Sequence, residues 1–115
     1  LVTRLIPEPT VAQCQAALTH MIRRLHEEGM TGFKDPSIGR EDWEAYLGLA
    51  KAGQFPINAC VLFSGGRSMA TATKALAEIK QAKAEIAPVA NSSLSVCGVK
   101  LFMDGSGAAP TAWMY

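Results

Sequence analysis

The stretch Val99-Lys100-Leu101-Phe102-Met103-Asp104-Gly105-Ser106 places a lysine inside an apolar run near the end of the 115-residue chain. In a β-strand, alternate side chains point to opposite faces. One face would carry Val99, Leu101 and Met103, and the other would carry Lys100, Phe102 and Asp104. A buried amine must be paired, neutralised or used in chemistry, because burying an unpaired charge is unfavourable. The plainer alternative is a lysine on a solvated face, or one whose stem follows apolar surface to water.

The composition is that of one globular domain covering residues 1–115. Hydrophobic residues make up 49% of the chain and charged residues 18%, a balance that excludes a disordered protein. The net charge is +1 and no basic stripe occurs, so no nucleic-acid partner is expected. No apolar run approaches the roughly 18 residues of a membrane span, so no membrane partner is expected either.

Three cysteines, Cys14, Cys60 and Cys97, are scattered, odd in number and set among apolar neighbours. This pattern predicts reduced, buried thiols in a cytoplasmic protein, and neither a disulfide framework nor a zinc site. The two histidines, His20 and His26, stand six residues apart on the first predicted helix. They would point in different directions, so we do not expect them to share a metal ion.

The first predicted helix and strand meet at a single glycine. An amphipathic helix is predicted to begin at Thr10 and to end at Gly29, a residue suited to a left-handed stop. Residues 30–35 follow as a short strand that ends before Pro36. Asp35 would then lie where a strand gives way to a loop, the end at which parallel folds place their chemistry. Its alternative role is that of a turn residue before the proline.

The remaining elements continue the alternation. Helices are predicted over residues 40–52 and 68–86, and strands over residues 57–63 and 96–103. The run 57–63 is almost continuously β-favouring, as in a strand covered on both faces. Short glycine joints without a hairpin signal indicate an α/β fold with right-handed crossovers and a parallel sheet. At about 30 residues per unit, the chain has the size of three of the eight units of a (β/α)8 barrel.

The stretch that begins at Gly98 resembles a known family. Residues 98–106, followed by Thr111 and Ala112, are similar to the Gly-Val-Lys-hydrophobic-Phe-x-Asp-Gly-Ser…Thr-Ala block of amidohydrolase family 3. Residues 29–36 and 46–57 are similar to two earlier segments of the same family, in the same order. These proteins are metal-dependent hydrolases of the amidohydrolase superfamily, a group that includes N-substituted formamide deformylase-like enzymes. The resemblance implies a partial (β/α)8, TIM-type barrel.

The resemblance also implies a site. Lys100 would correspond to the family's lysine on the fourth strand, which can react with carbon dioxide to give a carboxylated lysine that bridges two metals. The implied cofactor is a divalent metal, zinc first among them, and the implied substrate is a small amide-type molecule attacked by metal-activated water. Asp35, Asp104 and Ser106 would stand at the rim of the site. The carboxylation needs a neutral amine, whereas a free lysine has a pKa of about 10.4.

Several family residues have no counterpart in the sequence. The His-x-His, the later histidines and the last aspartate are missing, and Pro110 stands where the family has an arginine. The chain also begins without Met, and two of its last three residues, Trp113 and Tyr115, are aromatic. We therefore expect a piece of a longer amidohydrolase that binds no metal and is inactive alone. We also expect it to self-associate, either by pairing open strand edges or by swapping an end segment. The alternative is a self-contained, non-catalytic α/β binding or assembly domain whose similarity is local.

Overall fold

Three helices alternate with three strands in the computed structural model, which describes residues 7–102, 104–105 and 112–113. The elements are α1 (Val11–Glu27), β1 (Gly32–Ile38), α2 (Arg40–Lys51), β2 (Asn58–Gly66), α3 (Met69–Ile86) and β3 (Leu94–Leu101). The strands form one parallel sheet in the order β1-β2-β3. The predicted α/β class and the parallel sheet are confirmed, while closure into a barrel stays a prediction.

The described helices cover one face of the sheet. The side chains of β2 on that face are buried, and they are Ala59, Val61 and Phe63. The alternate residues, which are half-buried or exposed, are Asn58, Cys60, Leu62 and Ser64. We call the face that carries these alternate residues the open face. The prediction that β2 is covered on both sides is therefore wrong for the described chain, because strands added in sequential order through right-handed crossovers place α2 and α3 on the same side.

Helix α2 supplies the largest buried side chains. Trp43 is fully buried and its ring centroid lies 6.0 Å from that of Phe63 on β2. Tyr46 is 2% exposed and packs edge-on against Phe55, with the centroids 5.8 Å apart. Aromatic pairs at such distances add about 0.5–1.5 kcal/mol beyond the burial of their area. The core thus lies between the helices and one side of the sheet.

Strand β1 extends past Asp35, which corrects the predicted strand end. The strand continues through Pro36 and ends at Ile38, which is 3% exposed. Proline fits here because β1 is an edge strand of the described sheet, where a missing amide donor can face away from the partner strand. Ser37 has a φ of +81° and the register with β2 shifts at this point, so the strand contains a bulge.

Candidate functional site on the open face

The position of Lys100 depends on an irregularity in β3. On the ladder between β2 and β3, Val61 pairs with Val96 and the next residue, Leu62, pairs with Gly98. Cys97 therefore has no register partner on β2 and is an extra residue on β3. Gly98 has a φ of +157°, a conformation that residues with a side chain rarely adopt. This is a β-bulge, and a one-residue offset reverses the side of the sheet to which every following side chain points. The bulge therefore determines the face on which Lys100 lies.

The residues on either side of Lys100 point toward the helices. A Cβ placed on Gly65 of β2 would lie 2.5 Å from a methyl carbon of Val99 and 2.6 Å from one of Leu101. Both side chains thus occupy the space that the glycine leaves, while Lys100 between them points to the open face. The predicted division of this stretch between two faces is confirmed for these three residues. Met103 lies outside the described residues.

The surroundings of Lys100 are partly apolar. Its register partner on β2 is Ser64, and its side chain is half-buried. The Nζ atom lies 5.1 Å from the ring centroid of Phe102, which is 42% exposed. The Phe102 amide donates a hydrogen bond of 3.3 Å to the carbonyl of Gly66, so the chain stays attached to β2 beyond the end of β3. A cation–π contact at an exposed site contributes about 0.5–1 kcal/mol.

Two cysteines are joined at the bulge that precedes this lysine on β3. Cys60 of β2 and Cys97 of β3 form a disulfide with Cα atoms 5.6 Å apart. Cys97 is exposed and Cys60 is half-buried, while Cys14 on α1 is a free, half-buried thiol. The prediction of reduced, buried thiols is therefore wrong for Cys60 and Cys97. The two are 37 residues apart in the sequence, and only the register of two parallel strands brings them together.

Asp35 lies on the other side of the sheet from Lys100. Its register partner is Val61, which faces the helices, and its Oδ2 atom accepts a hydrogen bond of 2.6 Å from the hydroxyl of Tyr46. Burial raises the pKa of Tyr46, and the hydrogen bond to Asp35 raises it further. The structure thus brings Asp35 together with a core tyrosine of α2. It does not bring Asp35 to the face that carries Lys100.

The other two predicted rim residues follow β3. Asp104 is exposed, and its Oδ2 atom accepts a hydrogen bond of 2.7 Å from the backbone amide of Trp113. The carboxylate therefore holds two parts of the C-terminal segment together. Ser106 lies outside the described residues, so its predicted place at the rim stays a prediction.

The described residues do not by themselves fit the implied metal. No group of three or more His, Cys, Asp or Glu side chains that could hold an ion occurs within the described ranges. A carboxylated Lys100 would be one ligand, whereas zinc in proteins usually takes four. Its register partner Ser64 offers a hydroxyl, and Phe102 offers an aromatic ring. We therefore derive no chemical step through a metal from this part of the chain.

Comparisons with known proteins neither support nor contradict the predicted family. No family model, no curated protein and no solved structure matches the chain. None of the helices within the described ranges is both long enough and apolar enough to cross a membrane. The resemblance to amidohydrolase family 3 accordingly stays a prediction based on residues 98–106 and the two weaker segments.

Proposed function

We propose that this chain is part of a metal-dependent hydrolase that cleaves C–N bonds of small amide-type substrates with metal-activated water. The observation that carries the proposal is the position of Lys100, which faces the open side of a parallel sheet one residue before the end of β3. Parallel α/β folds place their reacting groups at the carboxyl ends of strands. The Asp-Gly-Ser sequence that resembles the family begins three residues after the last residue of this strand.

The role we assign to Lys100 is that of a metal ligand after carboxylation. The lysine cation would first lose a proton, and the neutral amine would then add to carbon dioxide and lose a second proton. The result is an anionic group with two oxygen atoms. A divalent metal, when bound, would polarise the substrate carbonyl and supply the attacking hydroxide. This chain's contribution is to orient the lysine, through the bulge at Gly98 and the packing of Val99 and Leu101 against Gly65.

We also propose that the sheet belongs to a larger (β/α)8 barrel. All described helices lie on one side, as they do around a barrel, and the open face would then be the barrel interior. The remaining metal ligands would come from residues outside the described ranges. On this proposal the 115-residue chain alone has no hydrolase activity.

The disulfide bears on the predicted cytoplasmic location. That prediction depends on three reduced cysteines, and two of them form a disulfide. Cytosolic thiols are normally kept reduced, so a structural disulfide is typical of oxidising compartments. The location therefore stays a prediction that depends on the thiol state of Cys60 and Cys97 in the cell.

The test is the substitution Lys100→Ala in the full-length protein encoded by the gene, compared with the natural protein for bound metal and for hydrolysis of amide-type substrates. We expect loss of both, with partial recovery of activity when a short carboxylic acid is added to replace the carbamate oxygens. The matched control is Lys34→Ala, because Lys34 is exposed and pairs in register with Cys60 on the same open face. Equal activity of the Lys100→Ala and Lys34→Ala proteins would contradict the proposal.

A second candidate function is a non-catalytic α/β binding or assembly domain. The contact between Lys100 and the ring of Phe102 favours it, because this contact gives the lysine a structural role without a metal. On this alternative, Lys100→Ala leaves the metal content unchanged and lowers stability by about 0.5–1 kcal/mol. Metal analysis therefore separates the two functions.

A further inference from the structure

The disulfide between Cys60 and Cys97 lies on the open face, at the bulge of β3. It joins neighbouring parallel strands at the β-bulge, and Cys97 is itself the extra residue of that bulge. Cys97 is an exposed residue whereas Cys60 is half-buried, so Cys97 is the half of the bond that a reagent in solution reaches more easily. Lys100 lies three residues further along the same strand. A covalent bond that can be opened is thus located next to the irregularity that orients the lysine.

We propose that Cys60–Cys97 is an exchange site for low-molecular-weight thiols of the glutathione class, and that its redox state controls how firmly the end of β3 is held. The proposal does not rest on the hydrolase function. It requires only the disulfide, the exposure of one of its two cysteines and the bulge. The ligand class follows from chemistry, since a thiolate is the group that attacks an exposed disulfide sulfur.

The exchange proceeds in two balanced steps. A thiolate attacks the Cys97 sulfur, forming a mixed disulfide with Cys97 while the electron pair of the broken bond leaves on Cys60 as a thiolate. A second thiolate then attacks the external sulfur of the mixed disulfide, and Cys97 leaves as a thiolate. In total, two external thiols are oxidised to one external disulfide and the protein disulfide is reduced to two thiols, a two-electron change. The reverse reaction closes the bond again.

The fold can accommodate the reduced state. The Ser95 hydroxyl donates a hydrogen bond of 2.9 Å to the carbonyl of Ala59, and its oxygen lies 3.6 Å from the sulfur of Cys97. That oxygen can accept a hydrogen bond from the Cys97 thiol once the disulfide is open. Parallel pairing of β2 with β3 continues on both sides of the bulge. Opening the bond therefore leaves β2 paired with the buried first half of β3.

Opening the bond changes the end of β3 most. Before the bulge, Leu94 and Val96 are buried under the helices, whereas Leu101 and Phe102 after it are 47% and 42% exposed. Segments with few buried contacts open at low free energy, so a cross-link at the bulge restrains this end more than it restrains the buried half. Reduction is expected to free residues 98–102, including Lys100, while α2 stays as it is.

The experiment places the chain in a series of glutathione buffers of increasing reducing strength and labels free thiols with an alkylating agent. We expect Cys60 and Cys97 to become labelled together, with the transient glutathione adduct on Cys97, as located by peptide mass spectrometry. Hydrogen exchange of amides 98–102 should become about tenfold faster on reduction. The hydrogen-exchange rates of the α2 amides should stay the same. Cys14→Ser is the control variant, because it removes the free thiol and leaves the pair intact.

Three outcomes would overturn the proposal. The first is that Cys60 and Cys97 stay unlabelled until the chain is denatured. The second is that both cysteines are already labelled in air-equilibrated buffer without thiols. The third is exchange at residues 98–102 that does not depend on the redox state. The double variant Cys60→Ser/Cys97→Ser should show the fast exchange under oxidising conditions, with protection of α2 amides reporting that it has folded.

Discussion

The guanidinium of Arg40, the first residue of α2, donates two hydrogen bonds of 2.7 and 3.0 Å to the carboxylate of Glu85, near the end of α3. The same carboxylate accepts hydrogen bonds from Trp43 Nε1 at 2.7 Å and from Gln81 at 2.9 Å. Since Trp43 is fully buried, Glu85 connects the core to both helices. These donors, Arg40 first, lower the pKa of Glu85 to about 2.

Replacing this carboxylate should weaken the helix layer. Glu85→Gln removes the ion pair and leaves Arg40 without its two-point acceptor, so we expect the free energy of unfolding to fall by about 1–2 kcal/mol. The measurement is urea unfolding followed by tryptophan fluorescence, which changes when the buried Trp43 becomes exposed to water. The control is Glu41→Gln, because Glu41 is an exposed acidic residue in the first turn of α2. Equal loss of stability in the two variants would contradict the role of Glu85.

The lowered pKa of Glu85 predicts how stability depends on pH. A carboxyl whose pKa falls from 4.5 to about 2 on folding stabilises the protein fully above pH 4.5. That contribution is lost progressively as the pH falls from 4.5 toward 2, because the unfolded chain then binds a proton that the folded chain does not. Unfolding free energies measured across this range should fall less steeply for Glu85→Gln than for the natural protein. Parallel curves would show that the carboxyl is not stabilised by folding.

The sequence predicts the local features of this fold well. Thr10 and Gln13, three residues apart, have the spacing that predicts a capping box at the start of α1. The box is present, with a hydrogen bond of 2.8 Å from the Thr10 amide to the Gln13 side chain. The helix–strand alternation and the two faces around Lys100 are likewise confirmed. In each case the interacting groups lie within a few residues, so spacing alone carries the information.

Contacts between distant residues could not be predicted in the same way. Arg40 and Glu85 are 45 residues apart, and Cys60 and Cys97 are 37 apart. The disulfide depends on the register of β2 and β3. The ion pair depends on the packing of α2 beside α3. Irregularities near Pro36 shift the register of β1 with β2, and those at Cys97 and between Ser64 and Gly66 shift the register of β2 with β3. A period-two pattern does not reveal them.

Enlarging Gly65 should displace the end of β3. In Gly65→Ala, the new methyl group would lie 2.5 Å from a carbon of Val99 and 2.6 Å from one of Leu101, which is closer than such atoms can pack. We expect a loss of about 1–3 kcal/mol in the free energy of unfolding, together with faster hydrogen exchange at the end of β3. The neighbouring Ser64→Ala is the control, because Ser64 is exposed on the open face. A stable Gly65→Ala protein with unchanged exchange would show that β3 does not pack against this glycine.

The open face should also govern self-association of the chain. Leu62 is half-buried on this face, and Phe102 is 42% exposed. We expect reversible dimers at high micromolar concentration, and we expect Leu62→Lys to weaken them about tenfold, because a charge would then have to be buried in the contact. Sedimentation velocity over a range of concentrations measures this. Leu76→Lys is the matched control, since Leu76 is 53% exposed on α3, away from the sheet. A chain that stays monomeric would contradict self-association, and equal weakening by both variants would place the contact elsewhere than on the open face.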